Sequence, residues 1–529
     1  MSGSVARVSE IVQAPTGKAE AAPASLKDTI QGVFDEPACD KNKAKDAKAK
    51  KKGCSKPLTP GAAAGGCAFD GAKIALQPIV DVAHLVHAPL ACEGNGYDNR
   101  HAASSGSLLF RTGFTTDLTE LDIVMGQGEK KLYRAIREIA QTHRPPAIFV
   151  YSTCVTALIG DDIHAVCKAA SQKYGLPVIP VDAPGFVGSK NLGNKLAGEA
   201  LFRHVVGTVE PDDAGPTDIN ILGEYNLSGE LWQVKPLFER LGIRIRACVT
   251  GDARYADVAA AHTARVNMMV CSAALINLAR KMEEAWGIPY FEGSFYGIAD
   301  TSDALRQVAR LLVARGADAG LIGRTEALIA EEEGKARARL GAWRRRLEGK
   351  RVLLYTGGVK SWSVVSALQE AGLEVVGTSV RKSTDEDKAK IHMLFGTEVD
   401  ASDPHMFESI PPREMYAMLR DAKADIMLSG GRTQFIALKA LTPWLDINQE
   451  RHEAYAGYGG MIDLVAAIDR AIHNPVWEEV RRPAPFDAEG RLVVGAAPAP
   501  APVHDDVTPI PAHHRKSFAG RDAHDDAEC

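Results

Sequence analysis

The sequence has no uninterrupted apolar stretch of about 18 residues, which is roughly the length of a helix that crosses a membrane. The first residues, from Met1 to Glu20, also lack the basic and then apolar pattern of a secretory leader. We therefore expect neither a membrane-spanning nor a secreted protein, and the cytoplasm is the default location.

Positive charge is not in excess either. Lys and Arg number 62 against 67 Asp and Glu, which gives a formal net charge of −5 and a pI near 6.3. A nucleic-acid binder needs surplus cations to meet phosphates, so no nucleic-acid partner is expected.

No G-x-x-x-x-G-K-S/T motif is present, and neither GQGEKK at 126 nor GNGYDN at 94 completes G-x-G-x-x-G. Any ATP or NAD chemistry should therefore belong to a partner.

The fold class follows from chain length and from the pattern of apolar residues. A chain of 529 residues exceeds what one hydrophobic core supports, so about three domains are expected. Short β-branched runs alternate with amphipathic stretches, which predicts an α/β protein with mostly parallel sheets and crossover helices. The predicted strands lie in AIFVYST at 147, PVIPVD at 177, INILGEY at 219, IRIRACVT at 243, VNMMVC at 266, RVLLYTGG at 351, LEVVGTSV at 373 and DIMLSGG at 425.

The domain limits are drawn at changes of composition. The helical, highly charged stretch 331–350 and the Pro, Gly and Asp cluster 210–218 mark the internal boundaries. The predicted division is a flexible Lys- and Ala-rich segment 1–66, α/β domains 67–212, 213–335 and 336–490, and a flexible tail 491–529. The tail histidines (504, 513, 514 and 524) are interpreted as part of a solvated linker rather than a metal site.

Nine cysteines in a reducing compartment should not form a disulfide framework. Cys67, Cys92 and Cys154 are predicted in loop or strand-end positions. Gly65, Gly66, Gly94 and Gly96 could let backbone approach a bound group closely. The spacings match neither a zinc ribbon nor a ferredoxin, so spacing alone favours isolated buried thiols. As cluster ligands, three thiolates would leave a four-iron cluster one short, and a partner chain could supply the fourth.

Cys271 is the other candidate ligand. It ends VNMMVC and is predicted to open a helix with Ser272 as N-cap, where the helix dipole would lower the thiol pKa and favour metal binding. A small apolar residue at a strand end remains the alternative. Cys167 and Cys248 are predicted to be buried, and Cys39 and Cys54 to be flexible unpaired thiols.

Several long strings resemble the cofactor-scaffold branch of the nitrogenase component 1 family, from about Glu36 to Pro485. The strings are GGCAFDGAKIALQPIVDVAHLVHAPLAC, STCVTALIGDDI, DAPGFVGSKNLGNKLAGEA, GEYNLSGE, VNMMVCS, FEGSFYGI, LLYTGGVKSWSVVSALQE and LDINQERHEAYAGY. The resemblance implies three doubly wound, Rossmann-like domains and an α2β2 heterotetramer with NifN. It also implies a 4Fe-4S cluster at the subunit interface, bound by Cys67, Cys92, Cys154 and a NifN thiolate.

The resemblance further implies a cargo. Cys271 would hold an eight-iron iron–sulfur–carbide precursor, the L-cluster, delivered by NifB. NifH would use ATP to add molybdenum and homocitrate, and the finished iron–molybdenum cofactor would pass to apo nitrogenase. Arg100 and Lys360 match positions of cofactor-contacting arginines in catalytic relatives, and Lys190 and Lys195 are further candidates. A solvated surface cation remains the alternative for each of the four. Gly357 and Gly358 could turn backbone N–H groups toward sulfide, although a simple tight turn explains them nearly as well.

Two departures from catalytic nitrogenase favour a scaffold over an enzyme. Asn194 stands where the catalytic subunit has a histidine, which removes a group that can donate a proton near neutral pH. Asn448 is the nearest candidate to the second cofactor-binding histidine and offers no imidazole. No catalytic residue is therefore predicted. The alternative is a catalytic α-type subunit of a nitrogenase-like reductase, or more remotely a dark-operative protochlorophyllide reductase subunit.

Overall fold

The computed structural model describes residues 66–98, 102–270, 275–356, 361–380, 383–398, 405–407, 410–448 and 451–482. The chain divides into two compact units, Met1–Trp477 and Glu478–Cys529, and all the described sheets belong to the first. Every strand pairing in the described ranges is parallel, which confirms the α/β prediction. None of the helices described is long and apolar enough to cross a membrane.

The first sheet has four strands in the spatial order β2-β1-β3-β4. Its strands are Ala83–Val86 (β1), Phe114–Thr115 (β2), Ile148–Tyr151 (β3) and Val178–Val181 (β4). The α-helices of this part are Ala68–Leu76 (α1), Leu90–Asp98 (α2), Glu120–Val124 (α3), Gly128–Thr142 (α4), Cys154–Ile159 (α5), Ile163–Tyr174 (α6) and Lys190–His204 (α7). Because the chain leaves β1 for one edge and then returns to its other side, a crevice is expected beyond the carboxyl ends of β1 and β3.

The second sheet repeats this plan with the order β6-β5-β7-β8. Its strands are Asp218–Leu222 (β5), Arg244–Val249 (β6), Val266–Met269 (β7) and Tyr290–Glu292 (β8). Its helices are Glu230–Arg240 (α8), Tyr255–Ala259 (α9), Ile276–Trp286 (α10) and Ile298–Ala314 (α11). A helix of 28 residues, Gly320–Leu347 (α12), then leads toward the third sheet.

The third sheet has five strands in the order β11-β10-β9-β12-β13. Its strands are Arg351–Tyr355 (β9), Glu374–Ser379 (β10), Met406–Phe407 (β11), Ile426–Ser429 (β12) and Trp444–Asp446 (β13). The remaining helices are Ser361–Glu370 (α13), Asp385–Phe395 (α14), Pro412–Asp421 (α15), Gln434–Lys439 (α16), Gly457–Ile472 (α17) and Val476–Arg481 (α18). Short 3₁₀ helices cover Leu109–Arg111, Gly185–Val187, Ala261–Thr263 and Gly431–Thr433.

The strands predicted from apolar runs are all confirmed, whereas β1, β2, β8, β11 and β13 were missed. Four of these have only two or three residues, too few for a periodic signal, and the polar His84 interrupts the apolar run of β1. Helix α10 begins at Ile276, with Leu275 at its N-cap in a left-handed conformation, and Ser272, the predicted N-cap, lies outside the described residues. The domain limits stay predictions, although each sheet lies within one predicted domain and α12 spans the limit at 335.

Two glycines allow helices α1 and α7 to touch backbone to backbone. A Cβ atom added at Gly71 would lie 1.9 Å from the Lys190 carbonyl oxygen, and one added at Gly193 would lie 1.9 Å from the Ala68 carbonyl oxygen. Neither position leaves room for a side chain. This contact fixes the start of α1, where Cys67 lies, against the start of α7.

We predict that Gly71→Ala lowers the free energy of unfolding by about 2 kcal/mol or more. Overpacking against atoms that cannot move costs about 1–3 kcal/mol, and here the obstacle is backbone. The matched control is Gly341→Ala in α12, an exposed helical position with nothing within 4 Å of the added carbon. The control should gain roughly 0.5–1 kcal/mol from reduced chain entropy. Denaturant unfolding of the full-length protein measures both, and equal effects would contradict the packing argument.

Candidate cluster-binding site

Three cysteines lie at the N-terminal ends of helices of the first sheet. Cys67 is the N-cap of α1, Cys92 lies in the first turn of α2, and Cys154 is the first residue of α5. All three thiols are partly exposed and none forms a disulfide. The predicted loop or strand-end setting is therefore correct for Cys67, and wrong for Cys92 and Cys154, which are helical.

The three thiols share one space. A Cβ atom built on Gly185 would lie 2.9 Å from Cys154 Sγ and 3.1 Å from Cys67 Sγ, so both sulfurs border this glycine. Burial raises the pKa of the Cys92 thiol, and the Cys154 and Cys67 sulfurs raise it further. Cys92 is therefore close enough to both for their charges to act on it.

The sheet topology explains this convergence. Cys92, Cys154 and Gly185 follow the carboxyl ends of β1, β3 and β4, which are neighbouring strands. Such ends meet at one edge of a parallel sheet. Cys67 precedes the sheet in sequence and reaches this edge through an isolated bridge to Ser189. The Lys190 backbone N–H donates to the Gly66 carbonyl oxygen at 2.9 Å and supports that bridge.

The glycine beside the sulfurs is one that sequence reasoning missed. Gly66 faces Asp70, Gly96 faces Lys73, and Gly94 has open space where a Cβ would lie. None of these expected glycines has a cysteine sulfur among its nearest atoms, and Gly65 lies outside the described residues. Gly185 follows a proline directly after β4, and this Pro-Gly pair was the only available signal.

The arrangement suits a group larger than a single metal ion. Within the described ranges, no three His, Cys, Asp or Glu side chains lie close enough together to hold one ion. Iron–sulfur clusters take cysteine thiolates as ligands and spread them more widely than one ion does. Three helix N-termini also direct partial positive charge toward this space, which favours an anionic group.

Large exposed apolar side chains lie close in sequence to the thiols and to Gly185. Leu90 lies two residues before Cys92, Leu158 lies one helical turn after Cys154, and Phe186 adjoins Gly185. Their exposed fractions are 59%, 76% and 57%. Helix α3 and its C-cap add the exposed residues Leu121, Val124 and Met125. The residue two positions before α3 pairs with the segment that leads to Cys92, because the Leu118 N–H donates to the Ala88 carbonyl oxygen at 2.9 Å. Apolar surface of this kind is typical of a protein–protein interface.

A buried ion pair and a half-buried one stand behind the thiols. The Lys73 ammonium on α1 contacts the Glu93 carboxylate on α2, and both side chains are almost completely buried. Lys190 Nζ, at the start of α7, lies 3.7 Å from Asp70 Oδ2 on α1. Lys190 is thus near the cysteine helix, where it can stabilise the packing of α1.

Asn194 and Lys195 lie in α7, which packs against α10. The Asn277 side chain of α10 donates to the Lys195 carbonyl oxygen at 2.8 Å, which ties α7 to the helix that follows Cys271 in sequence. Asn194 Oδ1 is buried and accepts no hydrogen bond from the described residues. This open acceptor can receive a hydrogen bond from a bound group.

Asn448 follows β13 and is held through its backbone. Its N–H donates to Asp446 Oδ1 at 2.7 Å, and its carbonyl oxygen accepts from Arg451 Nη1 at 2.5 Å. Arg451 is buried and forms an ion pair with the buried Glu230 of α8. Sequence reasoning missed this pair, because no local pattern relates residues so far apart.

Several predicted residues cannot be placed. Cys271, Arg100, Gly357, Gly358 and Lys360 lie outside the described residues, as do Cys39, Cys54 and the tail histidines. Cys167 and Cys248 are buried in α6 and β6, as predicted.

Comparison with known proteins defines the class. The model of the family described as nitrogenase component 1 type oxidoreductase matches residues 67–473, so the chain belongs to that family. Its relatives include the nitrogenase iron-molybdenum cofactor biosynthesis protein NifE of Mesorhizobium japonicum, 72% identical over 88% of this chain and 93% of that protein. NifE of Klebsiella pneumoniae is 50% identical over 86% of this chain and 99% of that protein.

A solved structure shows the same fold. The chain titled "Nitrogenase Cp1 at pH 5" superposes with a TM-score of 0.73 at 27% identity, covering 87% of this chain and 99% of that chain. The expected nitrogenase-type architecture of doubly wound parallel sheets is thereby confirmed.

An iron–sulfur cluster at the three thiols would be sensitive to the space at Gly185, and we predict that Gly185→Ala lowers the iron content of the purified protein. The added methyl group would stand about 3 Å from two sulfurs, inside their contact distance. Gly323→Ala in α12, where nothing lies within 4 Å of the new carbon, is the control and should keep its iron. The iron content of both purified variants tests this prediction. An unchanged iron content in the Gly185 variant would contradict a cluster that fills the space beside Gly185.

Proposed function

We propose that this protein is a scaffold subunit on which the nitrogenase iron–molybdenum cofactor is assembled. The supporting observation is its similarity over most of its length to proteins named for that biosynthesis, up to 72% identity among those compared. In this proposal it pairs with NifN, receives an eight-iron precursor from NifB and supports molybdenum and homocitrate insertion with NifH. The product then passes to apo nitrogenase.

Cys67, Cys92 and Cys154 would hold a resident 4Fe-4S cluster with a fourth thiolate from NifN. The shared space of the three sulfurs, the glycine that keeps backbone clear of it and the helix N-termini around it fit such a group. The exposed apolar side chains nearby fit a partner chain that covers the site and completes the ligand set. When bound, the cluster would supply one-electron redox chemistry.

The cargo would be bound by Cys271 and by cationic and polar groups around it. Arg100, Lys195 and Lys360 would offset the negative charge of a sulfide-rich cluster with homocitrate, and water exclusion would strengthen each contact. Gly357 and Gly358 would offer backbone N–H groups. Lys190 is better suited to hold α1 through Asp70 than to reach the cargo.

Asn194 and Asn448 would contact the cargo without anchoring it. An amide side chain does not titrate near neutral pH and provides no imidazole ligand to iron or molybdenum. The acceptor of Asn194 that is unused within the described residues supports a hydrogen-bonding role. Weak retention suits a protein that must release its product.

The function is tested by incubating the purified complex with NifH, ATP, molybdate and homocitrate, and then adding cofactor-free nitrogenase. We expect the nitrogenase to become active only with the complete mixture, because the product must be finished before it is transferred. Omission of molybdate is the internal control. No activation, combined with sustained dinitrogen reduction by the complex alone, would show a catalytic subunit instead.

Single substitutions distinguish the two proposed cysteine sites. We predict that Cys92→Ala abolishes most of the four-iron electron paramagnetic resonance signal, because two thiolates of this chain cannot replace three. Cys271→Ala should instead lose the precursor and keep the four-iron signal.

Cys167→Ala is the matched control, since this thiol is 1% exposed in the core of the first sheet and should affect neither cluster. An unchanged iron count in Cys92→Ala would contradict the resident site. Retention of the precursor in Cys271→Ala would contradict the proposed role of Cys271 in holding the precursor.

A further inference from the structure

A buried lysine joins the helices that carry two of the thiols. The side chain of Lys73 on α1 is 1% exposed, and that of its partner Glu93 on α2 is 6% exposed. Cys67 caps α1, and Glu93 directly follows Cys92. The ion pair therefore joins the last turn of α1, the helix that Cys67 caps, to the first turn of α2, which contains Cys92.

Lys73 also meets α2 at a second point. A Cβ atom at Gly96 would lie 3.0 Å from Lys73 Cδ and 3.2 Å from Lys73 Nζ, so the helix backbone packs on the lysine side chain. Residues 93 and 96 face the same way, because residues three apart share one side of a helix. The lysine thus contacts α2 through a charge at one residue and through packing three residues further on.

Glu93 is supported from its other side. A Cβ atom at Gly113 would lie 3.4 Å from Glu93 Oε1, so the loop before β2 packs against the carboxylate. Both members of the pair are thereby confined, and α2 has little freedom to slide along α1.

Stability alone does not account for a pair buried in this way. Removing two charges from water carries a desolvation penalty, and apolar side chains of similar volume often do as well or better. What an ion pair adds is a fixed geometry between two particular atoms. Here that geometry relates the helix capped by Cys67 to the helix containing Cys92.

We propose that Lys73 and Glu93 are positioning residues that fix the spacing of Cys67 and Cys92 and balance the charge next to the cluster. The role rests on the proposed function, because it requires that these thiols hold a cluster. Neither residue would bind iron. Each would act through the position of a ligand and through its own charge.

Removing one charge of the pair should shift the midpoint potential of the cluster in a direction set by the sign of the remaining charge. Loss of packing alone would not produce opposite shifts. Glu93→Gln leaves the ammonium without its carboxylate, which favours the more negative, reduced cluster. Lys73→Met leaves the carboxylate without its ammonium, which disfavours the reduced cluster. The double variant, Lys73→Met with Glu93→Gln, removes both charges.

The experiment is a redox titration of the purified complex with NifN, followed by electron paramagnetic resonance. We expect the midpoint potential to rise in Glu93→Gln, to fall in Lys73→Met and to change less in the double variant. The four-iron spectrum should broaden or lose intensity in all three, because the helix spacing is no longer fixed.

Asp218→Asn is the matched control for loss of a buried carboxylate. Asp218 is 1% exposed and binds Arg244 and Arg246 in the second sheet, with Arg244 Nη2 at 2.6 Å. The Asp218→Asn variant should have lower thermal stability, with the midpoint potential and the electron paramagnetic resonance spectrum of the cluster unchanged. A shift as large as that of the Glu93 variant would show that general destabilisation is responsible, and would overturn the positioning role.

Gly96→Ala covers the case in which the charge variants do not fold. It crowds Lys73 without changing any charge, and should alter the spectrum with a smaller change in potential. Folded variants with the potential and spectrum of the parent would overturn the positioning role and leave the scaffold proposal standing. A parent complex without a four-iron signal would overturn the resident cluster and the positioning role together.

Discussion

The backbone contact between α1 and α7 is the constraint on which the thiol site depends. Gly71 and Gly193 let the two helices approach until carbonyl oxygens occupy the space that side chains would need. This closeness brings Gly66 and Cys67 to the start of α7 and to the turn at Gly185. Cys67 comes before β1, the first strand of the described residues, so none of the described strands leads directly to it. Cys92 and Cys154 do not depend on this helix contact, because each follows one of the neighbouring strands β1 and β3.

Buried charges then connect segments that are distant in sequence. Lys73 and Glu93 are 20 residues apart, and Glu230 and Arg451 are 221 apart. Breaking such a pair by removing one partner costs about 3–5 kcal/mol, whereas replacing both partners can be neutral. Their value therefore lies in specifying which segments meet. One pair relates two thiol helices, and the other holds the segment with Asn448 against α8.

The sequence allowed the strands to be predicted wherever apolar runs were long, as in Arg351–Tyr355 and Glu374–Ser379. It did not allow the order of strands in each sheet to be predicted, since order depends on which edges pair. The grouping of Cys67, Cys92 and Cys154 came only from family resemblance, because their spacing follows no local rule. Gly185 and Arg451 were missed for the same reason: their importance lies in contacts with residues far along the chain.

The contrast between the two proposed cysteine sites gives a physical basis for retention and release. A cluster held by four thiolates must break several bonds at once to leave, so it remains. In the proposed function, a cargo held by the single thiolate of Cys271, with amides in place of imidazoles at Asn194 and Asn448, would have few bonds to break. In the proposed cargo site, the buried acceptor of Asn194, which accepts no hydrogen bond from the described residues, would add one orienting contact whose loss costs only about 1 kcal/mol. Binding strong enough to orient a precursor and weak enough to surrender the product is what distinguishes a scaffold from a catalytic subunit built on the same fold.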